Sequence, residues 1–239
     1  MKFSIIIPCY NEQANLPSLI ERILPLQNEY ELEYILVENG STDNSREFFI
    51  KNIEGKYKNI IVEYVDINKG YGFGIKQGLK LSKGQYVGWI HSDLQVCPNE
   101  LRQFFNFALL HNSNQKFLIK ASRSNRPFAD IFFATGQTVF SSIVFFYIMK
   151  DIGASPLIFS KSLIDDYDKI PDDFAIEVFT FLIARKKNFH IKRFKIILNN
   201  RQNSKSSWNT GFISKLKLSL IIARSSLIIR MKELKKEYS

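Results

Sequence analysis

The first hundred residues alternate between short apolar runs and segments of helical spacing, and that alternation constrains the fold more than any other feature. "KFSIIIP", "EYILVEN", "NIIVEYV" and "QYVGWI" are β-branched or aromatic runs of strand length. Between them, "ANLPSLIERILPL", "DNSREFFIKNI" and "GYGFGIKQGLKLSKG" carry apolar residues at helical intervals. Strands that are apolar throughout are buried on both faces. Connections long enough for a helix between successive strands imply a parallel sheet. "PNELRQFFNFALLHN" continues the pattern as a helix with Pro98 in its first turn. The expected class is α/β.

In open parallel sheets the ligand sits beyond the carboxyl ends of the strands, so the residues that follow each strand belong together. They are Pro8-Cys9-Tyr10-Asn11-Glu12, Glu38-Asn39-Gly40-Ser41-Thr42-Asp43, Asn68-Lys69-Gly70 and His91-Ser92-Asp93-Leu94-Gln95. Each cluster alone reads as a turn or a helix cap, for which Asn, Ser, Thr and Asp are the usual residues. Four polar clusters converging on one sheet edge read as a site. The fourth is the most pointed, because a core-type run from Tyr86 to Ile90 stops at one carboxylate between a His and a Gln. That is a turn, or half of a metal site.

Charge divides the chain unevenly. Residues 1–184 hold 18 Lys/Arg and 21 Asp/Glu, whereas residues 185–239 hold 15 and 2. The whole net charge of +10 therefore arises in the last quarter. Such a block meets something anionic, or is a solvated basic face. Two cysteines, Cys9 and Cys97, stand in no CxxC spacing, which argues against a disulfide framework or zinc site and fits a reducing compartment. The N-terminal apolar run is too short for a signal peptide.

The second half is less regular. Residues 131–149 approach the length of a membrane span but are interrupted by Gly136, Gln137 and several Ser/Thr, so a buried or surface-docking helix is expected. "DDFAIEVFTFLIARKKNF" is expected to be an amphipathic helix and "HIKRFKIIL" an edge strand. From about Gly211, "FISKLKLSLIIARSSLIIRMKELKK" reads as a helix with an apolar side and a Lys/Arg side, suited to a membrane surface or to simple docking.

"SIIIPCYNEQANLPSLI", "ILVENGSTDNS" and "NKGYGFGIKQGLKLSKGQYVGWIHSDLQVCPNEL" together resemble family 2 glycosyltransferases of the GT-A fold, most closely the dolichol-phosphate mannosyltransferase-like branch. The family patterns P-x-Y-N-E, V-D-D-G-S-x-D, N-x-G-x-x-x-A-x-x-x-G and D-x-D-L-Q-x-P-P-E are matched in order and spacing over about the first 125 residues. A weaker echo follows in "FAIEVFTFLIARKKNFHI" and "NRQNSKSSWN", which resemble that branch's F-x-I-E helix, next strand and R-x-x-G-x-S-K segment. The resemblance implies a Rossmann-like, mostly parallel sheet flanked by helices. The glycosyltransferase domain would span residues 1–198 and a basic C-terminal amphipathic helical tail residues 199–239.

It also implies inverting transfer from a nucleotide-diphosphate sugar, with Mg2+ or Mn2+ neutralising the leaving group. Carried over residue by residue, Asp93 and Gln95 fall at metal-ligand positions, and His91 stands where the first Asp of D-x-D is expected. Glu38 and Asn39 replace the two Asp of V-D-D-G-S, where the family reads the donor base. Pro8, Tyr10 and Glu12 match the first motif and line the expected nucleotide pocket, with Ser92 beside them. Lys69 and Arg201 are cations for donor phosphate, and Arg123 matches a family Arg that contacts donor or acceptor phosphate. Arg suits phosphate because its fork donates two parallel hydrogen bonds. A sugar-hydroxyl acceptor needs a general base, for which Asp173 and Glu177 are candidates, with Asp172 nearby. Asp172 and Asp173 also read as the cap and first turn of a helix.

The expected function is metal-dependent transfer of a hexose-type sugar to a polyprenyl-phosphate or lipid-linked acceptor. The enzyme would sit in the cytoplasm, peripherally on the inner face of the cell membrane and in contact with anionic lipid. The alternatives are a glycosyltransferase of surface polysaccharide or lipopolysaccharide acting on a sugar hydroxyl, and an inactive nucleotide-sugar-binding homologue. No nucleic-acid module accompanies the basic block, so nucleic acid is not an expected partner. A sugar nucleotidyltransferase would need a G-x-G-T-R loop where "IIIPCYNE" stands.

Overall fold

A computed structural model describes residues 1–111, 116–124, 128–199 and 211–235, with the backbone alone for 128–130. The first strand, β1 (Phe3–Cys9), is buried at every position. Phe3, Ile5 and Ile7 face one side of the sheet and Ile6 the other, so a run without polar alternation serves two cores at once. The chain then follows α1 (Leu16–Glu29), β2 (Leu32–Asn39), α2 (Ser45–Asn52), β3 (Ile60–Val65), α3 (Tyr71–Leu81), β4 (Tyr86–Trp89) and α4 (Leu101–Leu110). The expected strands and helices all form. Pro98 lies in a single 3-10 turn, Pro98–Glu100, that leads into α4.

The second half adds β5 (Phe117–Ser124), α5 (Phe128–Phe145), β6 (Leu157–Ser160), α6 (Ile176–Lys186), β7 (His190–Ile197) and α7 (Phe212–Leu234). The seven-stranded sheet has the order β3-β2-β1-β4-β6-β5-β7. Neighbours are parallel except β6, which runs antiparallel to both β4 and β5. The expected edge strand, β7, is at the edge. Winding proceeds outward from β1 to β2 and β3, then returns to β4 on the other side of β1. The gap between β1 and β4 is therefore the topological switch point, where loops diverge and leave a crevice.

Two helices differ from the sequence expectation. Helix α6 is not amphipathic, because every residue from Ile176 to Ala184 is buried. It lies between the sheet and α7, whose Ile222 and Ile229 join the same core. Helix α7 forms where expected, but its apolar residues are not confined to one side. Ile222 and Ile229 are buried while Ile213, Leu216, Leu220 and Leu234 are exposed. The apolar stretch at 131–149 is mostly α5, a helix docked along α7.

Candidate active site

At the switch point, the Ser92 hydroxyl donates to the Pro8 carbonyl over 3.0 Å, tying the loop after β4 to the end of β1. Asp93 is 8 % exposed, and its Oδ1 accepts the Gln95 backbone N–H at 3.1 Å. Between them Leu94 is buried with φ 58, a left-handed conformation costly for a branched aliphatic residue. Burial of the Leu94 side chain holds the turn in that conformation, leaving Asp93 and Gln95 to either side of it. The Asn199 N–H donates to the Gln95 carbonyl, bracing the turn from beyond β7.

His91 stacks on Tyr71 with ring centroids 5.0 Å apart, and Tyr71 stacks on Phe174 at 4.7 Å. His91 Nε2 is 3.5 Å from the Tyr71 hydroxyl. Tyr71 opens α3, whose start is pressed against the segment before α6. A Cβ on Gly70, which has φ +125, would sit 2.3 Å from the Asp172 carbonyl oxygen, and one on Gly72 2.2 Å from that of Pro171. The glycines of "GYGFG" thus permit backbone contact between α3 and residues 171–173. The Phe73 N–H donates to the Asp172 carbonyl at 2.9 Å, and Lys76 pairs with the Asp172 carboxylate at 2.5 Å. Asn39 donates to the Gly70 carbonyl at 3.1 Å and faces Gly74, the position where the family pattern has Ala.

Behind the stack lies a buried charged cluster. Trp89 Nε1 donates to Glu177 Oε1 at 2.8 Å, and Glu177 Oε2 is buried without a hydrogen-bond partner. Burial pushes the Glu177 carboxyl up, opposed by Lys120, the Trp89 hydrogen bond and Arg123. Lys120, 1 % exposed, donates to the Ile152 carbonyl, and burial pulls its ammonium down to about 8. Burial also lowers the Arg123 guanidinium, while Glu177, Tyr71, Asp93 and Asp151 act to hold its charge. Arg123 Nε is buried and makes no hydrogen bond. The Tyr71 phenol is raised by burial and then by Glu177. Asp93, Tyr71, Arg123 and Glu177 therefore share one electrostatic environment.

The remaining candidates are placed as follows. Glu12 accepts from Asn15 Nδ2 at 2.5 Å at the entry to α1, and Tyr10 is half-buried beside it. Glu38 is fully buried, its Oε1 accepting the Ser41 N–H at 2.6 Å, so it holds its own loop together. Asp173 lies two residues ahead of Ala175, the N-cap of α6, so it is not the helix cap. Its Oδ1 accepts the Ala175 N–H at 2.7 Å in the turn leading into α6, and its Oδ2 the Ser225 hydroxyl of α7. Lys69 is exposed, its ammonium 5.0 Å from the Phe73 ring. Arg201 lies outside the described residues.

The sequence reading missed Tyr71, Trp89, Lys120, Asp151 and Phe174. Lys120 had a signal: a cation in the middle of the buried strand "FLIKASRS". Asp151, with φ 54, accepts the Ser122 hydroxyl at 3.0 Å and had no comparable cue.

Residues 4–118 match the family described as Glycosyl transferase family 2. The match covers just under half of the chain. The matched segment runs from β1 into β5 and contains Asp93, Gln95, His91 and Tyr71. An undecaprenyl-phosphate 4-deoxy-4-formamido-L-arabinose transferase from Photorhabdus laumondii is 31% identical over 147 residues, 60% of this chain and 43% of that protein. Its counterpart from Proteus mirabilis is 36% identical over 104 residues, 42% of this chain and 31% of that protein. The chain thus matches less than half the length of these curated relatives. Glucosyl-3-phosphoglycerate synthase from Mycobacterium tuberculosis, in complex with Mn2+, UDP-glucose and phosphoglyceric acid, superposes with a TM-score of 0.70. The match covers 96% of this chain and 79% of that one, at 17% identity. The same synthase with Mg2+ and UDP gives 0.67. The fold is GT-A.

No group of three or more His, Cys, Asp or Glu side chains among the described residues is arranged to hold a metal ion. A magnesium-type ion is commonly bound by one or two protein carboxylates together with substrate phosphates and water. One fixed carboxylate at Asp93 with the Gln95 amide nearby fits an ion of that kind, arriving with a diphosphate.

Proposed function

We propose that the protein is an inverting glycosyltransferase that moves a sugar from a nucleotide-diphosphate sugar to a polyprenyl-phosphate acceptor with a divalent metal. The catalytic domain is residues 1–198, and residues 199–239 are a basic tail that contains α7. The observation that carries this reading is the Asp93 carboxylate fixed just after β4, two residues from the His91 that stacks on Tyr71, with Arg123 at the carboxyl end of β5. The names of the undecaprenyl-phosphate transferases that the chain resembles support the acceptor class.

Asp93 and Gln95 are the residues that would hold Mg2+ or Mn2+. When bound, the ion supplies positive charge against the leaving diphosphate. His91 and Tyr71 form the wall beside that position, and Pro8, Tyr10, Glu12, Asn39, Ser92 and Lys69 border the donor side. An acceptor phosphate oxygen attacks the anomeric carbon, the bond from that carbon to the diphosphate oxygen breaks, and the nucleoside diphosphate departs with the electron pair. The attacking phosphate is already anionic, so no proton has to be removed. Arg123, with a buried and unpartnered Nε, is suited to an incoming phosphate. Both oxygens of Asp173 are engaged, one by the Ala175 N–H and the other by the Ser225 hydroxyl. Glu177 is buried behind Trp89. Neither is arranged as a free general base, which favours a phosphate acceptor over a sugar hydroxyl.

The test is calorimetric titration of UDP, GDP, CDP and dTDP, each with and without Mn2+, followed by transfer from the preferred donor to undecaprenyl phosphate. Metal-dependent binding of one nucleotide that is lost in Asp93→Ala, with sugar appearing on the lipid, is the expected result. Nucleotide binding that is indifferent to both Mn2+ and Asp93→Ala would overturn the metal assignment. Binding without transfer would point to the inactive homologue.

A further inference from the structure

The two helices α5 and α7 pack side by side and run parallel. Phe133 meets Phe212 with centroids 5.3 Å apart, Gln137 Nε2 donates to the Ser219 hydroxyl at 3.2 Å, and the Arg230 guanidinium lies 5.4 Å from the Phe146 ring centre. Their outer surfaces are apolar. On α5 and the turn after it, Phe132, Val139, Ile143 and Phe146 recur at helical spacing and are 65%, 52%, 67% and 81% exposed. On α7, Ile213, Leu216, Leu220, Leu227, Met231 and Leu234 form a second exposed stripe. The two stripes join through Phe132, Phe133 and Phe212, whose rings follow one another at 5.7 and 5.3 Å. Because α7 also buries Ile222, Ser226 and Ile229 against the core, it is apolar on two sides, and only one of them is satisfied within the fold.

We infer that the face shared by α5 and α7 is a docking surface for an anionic lipid bilayer. Contiguous apolar patches of this kind mark interaction sites rather than ordinary solvated surface. Charge decides the occupant. Lys217, Arg224 and Lys232 are exposed on α7 and Lys235 at its C-cap, and Glu233 is the only acidic residue of the described helix. A second copy of this chain would bring two strongly basic surfaces together, whereas anionic headgroups neutralise the cations while acyl chains cover the apolar stripe. No helix among the described residues is long and apolar enough to cross a membrane, so the contact is one of lying on the surface.

The surface adjoins the candidate site at two points. Helix α5 follows the strand that carries Arg123. The Ser225 hydroxyl of α7 donates to Asp173, next to the Asp172 carbonyl that receives the Phe73 N–H of α3. On the polyprenyl-phosphate reading, on which this last step rests, a phosphate carried in the bilayer is presented beside Arg123 while its lipid tail stays in the membrane.

The experiment is flotation of the full chain with phosphatidylcholine vesicles, with and without phosphatidylglycerol, beside sedimentation velocity without lipid. Wild type is expected to float with the anionic vesicles. Leu216→Glu/Leu220→Glu and Phe132→Glu are expected to weaken flotation roughly tenfold or more. Nucleotide binding and Tm should not change, since these side chains are exposed and lie outside the site. Lys217→Glu/Arg224→Glu should lose the preference for anionic lipid while remaining folded. Flotation of the apolar variants equal to wild type overturns the inference. So does a wild-type dimer that ignores vesicles and dissociates in the same variants, which would assign the face to a second copy. Flotation without any transfer to undecaprenyl phosphate leaves the surface assigned and refutes the acceptor.

Discussion

Trp89, the last residue of β4, donates its indole N–H to Glu177 in the first turn of α6 over 2.8 Å. This one bond joins the strand that leads to His91 and Asp93 to the helix that closes the site from behind, and it orients a carboxylate whose second oxygen is unpartnered.

Because burial raises the Glu177 carboxyl, the folded chain binds its proton more tightly than the unfolded chain. Its contribution is fully present below the ordinary glutamate value and is lost as pH rises through the folded value. Glu177→Gln keeps an acceptor for Trp89 and has no proton to lose. The melting temperature of wild type should therefore fall relative to Glu177→Gln as pH rises above the usual carboxylate range. Parallel Tm-versus-pH curves for the two proteins would contradict the raised carboxyl.

A side chain at Gly72 would meet the backbone carbonyls of Pro171 and Asp173 at 2.2 and 2.6 Å, where nothing flexible can yield. Gly72→Ala should cost about 1–3 kcal/mol of stability by urea unfolding. It should also weaken nucleotide binding, because α3 and residues 171–173 are forced apart. A Gly55→Ala control tests a glycine with no neighbour within 4 Å, so it reports backbone strain at φ +71 without steric contact.

His91 supplies an imidazole where the family pattern places a carboxylate. His91→Asp adds negative charge two residues from Asp93 and should strengthen Mn2+ affinity in the presence of nucleotide, by about tenfold. It also removes the 5.0 Å stack on Tyr71, so the folded protein should be no more stable than wild type. Calorimetry with Mn2+ and the preferred nucleotide reads the first effect, and thermal melting the second. Unchanged metal affinity would place His91 away from the metal.

Arg123→Ala should lower transfer by on the order of 100-fold, as expected for loss of a fixed cation at a reacting phosphate. Arg123→Lys should restore little, because an ammonium has no planar fork and burial disfavours its charge. Steady-state assays with varied acceptor separate the two effects. Full activity in either variant would move the acceptor phosphate elsewhere.

Most of the first half was legible in the sequence because its physics is local. β1, β2 and β4 are apolar enough to demand burial on both faces, whereas β3, which reads the same way, is a partly exposed edge strand. Gly70, Gly72, Asp93 and Gln95 sit at fixed offsets from strand ends. The second half depends on contacts that no spacing announces. Helix α6 reads as amphipathic until α7 covers its outer face. Asp173 reads equally as base or cap, yet it precedes the N-cap Ala175 and spends its two oxygens on the Ala175 N–H and the Ser225 hydroxyl. Glu38 reads as a base-recognition residue, yet its carboxylate is turned inward onto the Ser41 N–H. Tyr71 is one aromatic among many in the sequence, and only its stack between His91 and Phe174 singles it out.

The reversed strand β6 has a consequence for how such a protein diversifies. It divides the sheet into β3-β2-β1-β4 on one side and β5-β7 on the other. The recognisable family signature ends at residue 118, just inside β5. On the proposed reading, the donor half of the crevice and the half that holds Arg123 thus hang on separate blocks of strands joined by a short seam. For a sugar transferase of the kind proposed, sequence drift in the second block would retool what receives the sugar while leaving the apparatus that delivers it intact.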